Sequence, residues 1–240
     1  MLQLEVKIYI ISVSMNSTTA KKSEMVFIPG PSGELEAIFS YVSKKVTHLA
    51  ILCHPHPLYG GTMHNKVVYT VAMALNHLGY ATVRFNFRGV GRSSGSFNHG
   101  IGEQRDVEAV IHHFDQLYPD AIKIVGGFSF GAKVGLMAAS RHPRIAGLLA
   151  VGVTVDIADF SFLLDCEKPK LIIQGTQDQY GSVNTVQDWF QRLREPKKLV
   201  FIEGAVHLFD GKLSELKNAI ITELPSLMEL TTLNYSQSLP

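Results

Sequence analysis

Ile122-Lys123-Ile124-Val125-Gly126-Gly127-Phe128-Ser129-Phe130-Gly131-Ala132-Lys133-Val134 is the stretch that decides the fold. Its first part, Ile122 to Val125, is an apolar run of strand type, a helical pattern begins at Phe130, and Gly127-x-Ser129-x-Gly131 occupies the junction. A serine at so sharp a strand-to-helix turn is held in a strained backbone conformation, and side chains two residues to either side would collide. The turn pushes the hydroxyl out at the carboxyl edge of a sheet, over a helix N-terminus that favours developing negative charge. Five residues by themselves are a weak signal, because glycine-rich turns before helices are common. The same stretch nearly spells a phosphate-binding loop, but Lys133 comes one residue late and Val134 replaces the Ser or Thr that would hold magnesium.

Outward from this junction, short apolar runs alternate with segments of helical period. Strands are expected over Met25 to Ile28, Leu35 to Val42, His48 to Cys53, Tyr80 to Phe87, Ala121 to Phe128, Ile145 to Gly152, Lys170 to Gln174 and Lys198 to Ile202. Helices are expected over Lys66 to Leu78, Gly102 to Leu117, Phe130 to Arg141, Val183 to Leu193 and Leu213 to Leu230. Most of the strand runs are continuously apolar, as parallel strands covered on both faces are. The first two flank the turn Pro29-Gly30-Pro31-Ser32-Gly33 and read as an antiparallel hairpin. A hairpin followed by repeated strand and helix predicts an α/β fold of three layers with a mostly parallel central sheet. One domain is expected over residues 24–230, with a flexible extension at 1–23 and a tail at 231–240. The connection between Gly152 and Lys170 is too short for an inserted lid domain.

Composition narrows the function classes. The 240 residues are 46% hydrophobic and 18% charged, with a net charge of +1, so the chain can bury a core and is not of the disordered class. Near-neutrality argues against nucleic acid or an anionic membrane as the main partner, both of which call for a basic surface. No stretch approaches the roughly 18 apolar residues of a membrane span. The run Ile8 to Val13 is shorter than a signal-peptide core and lacks a cleavage site close behind it. Cys53 and Cys166 are too few for a disulfide framework, and Cys53 reads as a small buried hydrophobe, so a cytoplasmic location is expected.

Two further segments complete a chemical pattern. Leu171-Ile172-Ile173-Gln174-Gly175-Thr176-Gln177-Asp178 is a strand followed by a carboxylate on a loop, and Leu199-Val200-Phe201-Ile202-Glu203-Gly204-Ala205-Val206-His207 is a strand, a small-residue loop and a histidine. Alone, Asp178 reads as a turn residue or helix cap, and a lone histidine is more often structural. Yet Ser129, Asp178 and His207 each fall just past an expected strand, in the order nucleophile, acid, histidine. A serine hydroxyl needs a neutral imidazole to take its proton during attack, and that imidazole needs a carboxylate to fix its tautomer and stabilise its cation. Asp156 and Asp159 follow the preceding strand and are weaker candidates for the acid.

The loop Cys53-His54-Pro55-His56-Pro57-Leu58-Tyr59-Gly60-Gly61 follows the strand from His48. Here an oxyanion donor is expected to join the Phe130 N–H. Pro55 and Pro57 have no N–H, leaving His56, Leu58 or Tyr59, of which Leu58, just ahead of the glycines, is favoured. Tyr59 and Phe128 are candidate pocket walls, with Phe130 and Phe160 to Leu164 as further candidates. His54, His56 and His64 make a poor metal set, since no cysteine or carboxylate completes a tetrahedron, and loop-ordering hydrogen bonds explain them better. No metal and no cofactor are expected. The adjacent His112 and His113 read as helix surface. Gly89-Val90-Gly91-Arg92-Ser93-Ser94-Gly95 is similarly a poor dinucleotide fingerprint, and Arg88, Arg92 and Asp106 are expected to brace that loop.

Taken together, His54 to Met63, Asn86 to Ser93, Gly127 to Gly131, Gly175 to Asp178 and His207 resemble the α/β-hydrolase superfamily, and within it small lidless bacterial serine hydrolases similar to dienelactone hydrolases. The resemblance spans roughly residues 24 to 225. It implies a triad of Ser129, Asp178 and His207, with the N–H groups of Leu58 and Phe130 as oxyanion donors. Dienelactone hydrolases use a cysteine nucleophile where this chain has serine, which favours ordinary ester hydrolysis. The expected activity is cleavage of small carboxylic esters or thioesters through an acyl-enzyme. A peptidase or acyltransferase with the same triad, or a non-catalytic interaction protein, are the alternatives, and oligomeric state is left open.

Overall fold

A computed structural model of the chain describes residues 21–236, side chains beyond Glu229 excepted. Among these residues are eight strands, β1 (Lys22–Gly30), β2 (Gly33–Tyr41), β3 (His48–Cys53), β4 (Ala81–Phe85), β5 (Ile122–Phe128), β6 (Gly147–Val151), β7 (Lys170–Gly175) and β8 (Lys197–Ile202). The helices are α1 (Lys66–His77), α2 (Ile101–Leu117), α3 (Phe130–Ala139), α4 (Val183–Gln191) and α5 (Leu213–Ser236). The sheet order is β1-β2-β4-β3-β5-β6-β7-β8. The hairpin strand β2 runs antiparallel to both β1 and β4, and all pairs from β4 to β8 are parallel.

The continuous apolar runs divide residue by residue between the two faces, because successive side chains of a strand point in opposite directions. In β3, Leu49, Ile51 and Cys53 enter the core under α2, α3 and α4, whereas Ala50 and Leu52 enter the core under α1 and α5. In β6, Leu148 and Ala150 join the first of these cores, and Leu149 and Val151 the second. The result is the expected three-layer arrangement. Two lysines interrupt the runs for a reason of satisfaction: buried Lys123 Nζ donates to the carbonyls of Tyr118 and Ala121, and buried Lys170 Nζ to that of Arg194.

The segment Gly152 to Lys170 holds only a short 3₁₀ turn, Ser161–Leu163, and no inserted domain. Phe160 and Leu163 are buried in the core, a correction to their reading as pocket walls. The first strand starts at Lys22, inside the stretch expected as extension, because Lys22 and Ser23 pair with Tyr41 and Ser40 of the hairpin. The last helix runs on to Ser236, into the expected tail. Residues 1–20, with the run Ile8 to Val13, and residues 237–240 lie outside the described residues. Among the described residues, no helix is long and apolar enough to cross a membrane.

The loop after β4 is a knot of buried polar groups. Arg88 grips Asp106 of α2 with its Nη2 at 2.6 Å from Oδ1 and its Nε at 3.0 Å from Oδ2. Glu36 Oε2 accepts from Asn86 Nδ2 at 2.8 Å and from the Arg92 N–H at 2.9 Å. A Cβ on Gly91, whose φ is +57°, would fall 2.5 Å from both Asn86 Nδ2 and Glu36 Oε2. The middle glycine of the motif that mimics a dinucleotide fingerprint thus makes room for a carboxylate. The Arg92 side chain takes no part in the Arg88–Asp106 pair; its guanidinium lies 4.6 Å over the Phe27 ring.

Candidate active site

Parallel direction brings the loops after β3 to β8 to one edge of the sheet, with Ser129 at the end of the central strand β5. Ser129 has φ 58° and ψ −121°, a region that residues with a Cβ occupy only under strain of about 1–3 kcal/mol. Its N–H donates to Val151 O at 3.0 Å, which holds the turn to β6. A Cβ on Gly127 would lie 2.3 Å from Gly131 O, and one on Gly131 would lie 2.4 Å from the carbonyl oxygens of Cys53 and His54. Both glycines are therefore required by backbone packed against backbone.

The loops after β7 and β8 are laced together. The Thr176 N–H donates to Ile202 O, the Gln177 N–H to Ala205 O, and the Gly204 N–H to Thr176 Oγ1 at 2.8 Å. This lacing brings Asp178 Oδ2 to 2.8 Å from His207 Nδ1, and His207 Nε2 to 2.9 Å from Ser129 Oγ. The other carboxylate oxygen, Oδ1, accepts the Tyr180 N–H at 2.9 Å. A carboxylate only accepts, so the Nδ1 facing it carries the proton and Nε2 is free to accept from the serine hydroxyl. Asp178 and His207 are both buried, and the imidazole lies between the rings of Phe128 and Tyr180, at centroid distances of 5.0 and 4.8 Å.

Phe128 is 1% exposed and carries His207 on its ring. As the last residue of β5 it points into the core under α1 and α5, which corrects its reading as a pocket wall. Tyr59, by contrast, is 88% exposed on the loop after β3. Asp156 and Asp159 do not reach His207: Asp156 Oδ2 accepts the Ser182 N–H, and both Asp159 oxygens bond Ser161.

Phe130 is the first residue of α3, so its N–H has no acceptor four residues back. In the loop after β3, Pro57–Tyr59 forms a 3₁₀ turn; the Leu58 N–H donates to His56 Nδ1 at 3.2 Å and the Tyr59 N–H to His56 O at 3.1 Å. The loop is buckled to its neighbour by His54. The imidazole is fully buried, its Nδ1–H donates to Pro55 O at 2.6 Å, and its Nε2 accepts the Phe87 N–H at 3.0 Å. Burial pushes its pKa down to about 4. With both nitrogens engaged it offers nothing to a metal, and among the described residues no group of three or more His, Cys, Asp or Glu is placed to hold one.

One positioning group escaped the sequence reading. Gln174 is fully buried in β7; its Oε1 accepts the Val153 N–H at 2.8 Å and its Nε2 donates to Gly181 O at 3.0 Å, tying β6 to the loop that carries Asp178. The signal was a lone amide inside an apolar run. Cys53 is fully buried beside the turn; burial first, and the Asp106 charge second, push its thiol pKa up, which makes it inert. A groove of about 1150 Å³ between α5 and the amino ends of the parallel strands shares no residue with the serine site.

Residues 50–220 match the family model of the alpha/beta hydrolase domain. An uncharacterised protein of Rickettsia prowazekii is 37% identical over 204 residues, which are 81% of this chain and 86% of that one. An alpha-beta serine hydrolase homologue from Coxiella burnetii superposes with a TM-score of 0.79 at 37% identity, covering 89% of this chain and 100% of its own. A lidless serine hydrolase from Xanthomonas campestris gives a TM-score of 0.76 at 38% identity, covering 85% and 94%. On the family model, the identities and the shared fold, this chain belongs to the alpha/beta-hydrolase family, as a small member whose relatives include serine hydrolases without a lid.

Proposed function

We propose that the protein hydrolyses small carboxylic esters or thioesters through an acyl-enzyme on Ser129. The observation that carries this reading is the unbroken hydrogen-bonded line from Ser129 Oγ through His207 to Asp178. As the hydroxyl attacks the ester carbon, His207 Nε2 takes its proton, and Asp178 stabilises the imidazolium from the Nδ1 side. The oxyanion draws on the free Phe130 N–H, and on the Leu58 N–H once that group turns away from His56 Nδ1, each such donor being worth roughly 10²–10³ in rate. Collapse expels the alcohol or thiol, which takes the proton from His207; water then repeats the sequence on the acyl-enzyme and releases the acid. Short or compact acyl groups are the expected substrates, because among the described residues no lid covers the serine. Cytoplasmic residence accords with two buried, unpaired cysteines.

A fluorophosphonate probe tests the nucleophile: wild type is labelled and Ser129→Ala is not. A p-nitrophenyl ester series tests the reaction, with turnover expected to be highest for short acyl groups and lost in Ser129→Ala. Labelling that persists in Ser129→Ala removes the serine from this role. Turnover of amides but not esters would make the protein a peptidase instead.

A further inference from the structure

The rings beside the serine are not spread evenly. His56 forms the hub of a cluster, with centroid distances of 4.7 Å to Tyr59, 4.9 Å to Phe97 and 4.7 Å to Phe130, and Phe97 lies 6.0 Å from Phe130. The cluster starts at Phe130, the residue after the nucleophile, and takes in the loop after β3. Phe130 rests on the core beside Phe87, but the cluster is not sealed: His56, Phe97 and Phe130 are half-buried and Tyr59 stands almost free in solvent. Three half-buried rings and a fourth held out in solvent, tilted 41° to 54° to one another, make a faceted aromatic wall at the residue after the nucleophile, of the kind that marks a binding surface.

Sheet order assigns that wall to one side of the reacting bond. Strand β5 has β3 and β4 on one side, from whose loops come His56, Tyr59 and Phe97, and β6, β7 and β8 on the other, from whose loops come Asp178, Tyr180 and His207. The leaving oxygen must receive its proton from His207 Nε2, so the alcohol portion of an ester departs toward β7 and β8. The carbonyl oxygen turns to the Phe130 N–H at the start of α3, and the acyl portion is then left the β3 side, where the rings stand.

Resting on the esterase reading above, we infer that among acyl groups of equal size this site prefers an aromatic one, packed ring against ring on the wall of His56, Tyr59, Phe97 and Phe130. Tyr59 and Phe97 are the specificity-determining residues. A saturated ring of equal carbon count presents at least as much apolar surface, so area burial alone gives it no disadvantage. Only ring-on-ring geometry favours the aromatic group, by roughly two- to tenfold from the strength of aromatic pairs.

The test compares kcat/KM for p-nitrophenyl phenylpropionate and p-nitrophenyl cyclohexylpropionate, which share a leaving group and a linker, with p-nitrophenyl acetate as reference. Wild type is expected to favour the phenyl ester about two- to tenfold. The phenyl-to-cyclohexyl ratio is expected to fall toward one in Tyr59→Ala and in Phe97→Ala, and to survive in Tyr59→Phe. A ratio of one or below in wild type, with acetate turned over in a Ser129-dependent way, overturns the inference and leaves the esterase reading intact. A ratio unchanged in both alanine variants also overturns it. Absence of Ser129-dependent turnover of all three esters overturns the esterase reading, and the inference with it.

Discussion

Acidification should destabilise this protein through His54 more than through any surface histidine. The imidazole is 0% exposed, and the Phe87 N–H holds its Nε2 as an acceptor, so a proton has no place to go without breaking the buckle between the loops after β3 and β4. Its pKa is about 4 in the folded protein against 6.5 for the free side chain. Because the folded value is the lower one, the unfolded chain binds more protons between those limits, and stability falls as pH falls. His54 contributes no penalty above about pH 6.5; below it stability declines by about 1.4 kcal/mol per pH unit, for a total loss of about 3 kcal/mol near pH 4. The comparison variant is His54→Gln, whose amide oxygen can accept the Phe87 N–H but does not titrate. Urea unfolding followed through the single tryptophan, Trp189, measures both proteins from about pH 7.5 to pH 4.5. The variant starts about 1–3 kcal/mol less stable because the bond to Pro55 O is lost, and the gap closes or reverses as pH falls. His48, His56, His113 and His142, also lowered by burial, titrate in both proteins and cancel from the difference. Stability curves that run parallel across the range would refute this account of His54.

Three other outcomes are expected. Arg88→Met leaves Asp106 buried without its guanidinium and should destabilise by about 3–5 kcal/mol, with Arg88→Met/Asp106→Leu recovering much of the loss; a double variant no better than the single one in urea unfolding contradicts this. Gly131→Ala drives a Cβ to 2.4 Å from two carbonyl oxygens and should cost about 3 kcal/mol or more, so soluble protein with an unshifted thermal midpoint counts against the packing described for the turn. Ellman's reagent should find both cysteines unreactive in the native protein and both reactive in denaturant, since each is buried; rapid native reaction of either would contradict their burial.

Much of the architecture was legible because its signals are local. The strand runs, the helical periods and the glycines about Ser129 are each short-range consequences of backbone sterics and solvent partition, and the observed elements fall within a few residues of expectation except at α5, which continues past Leu230. The juxtaposition of Ser129, Asp178 and His207 was foreseen because parallel strands deliver their following loops to one edge whatever the packing details. Less was legible where a side chain's role depends on the partner it meets. Phe128 was expected to face substrate, but alternation along β5 turns it inward beneath His207. Gln174 went unremarked because its partners, Val153 and Gly181, become neighbours only when β6 lies beside β7.

What the chain determined by itself was therefore the element order, the strained serine turn and the succession of serine, carboxylate and histidine past three strand ends. Those features follow from steric limits and hydrophobic spacing over a few residues. The tertiary structure alone decided which imidazole nitrogen faces which group, that Glu36 and Asp106 hold the loop after β4, and that four rings gather on the β3 side of the serine. Hydrogen-bond direction and ring contact depend on distances between segments far apart in the chain, and only the packed sheet sets those distances.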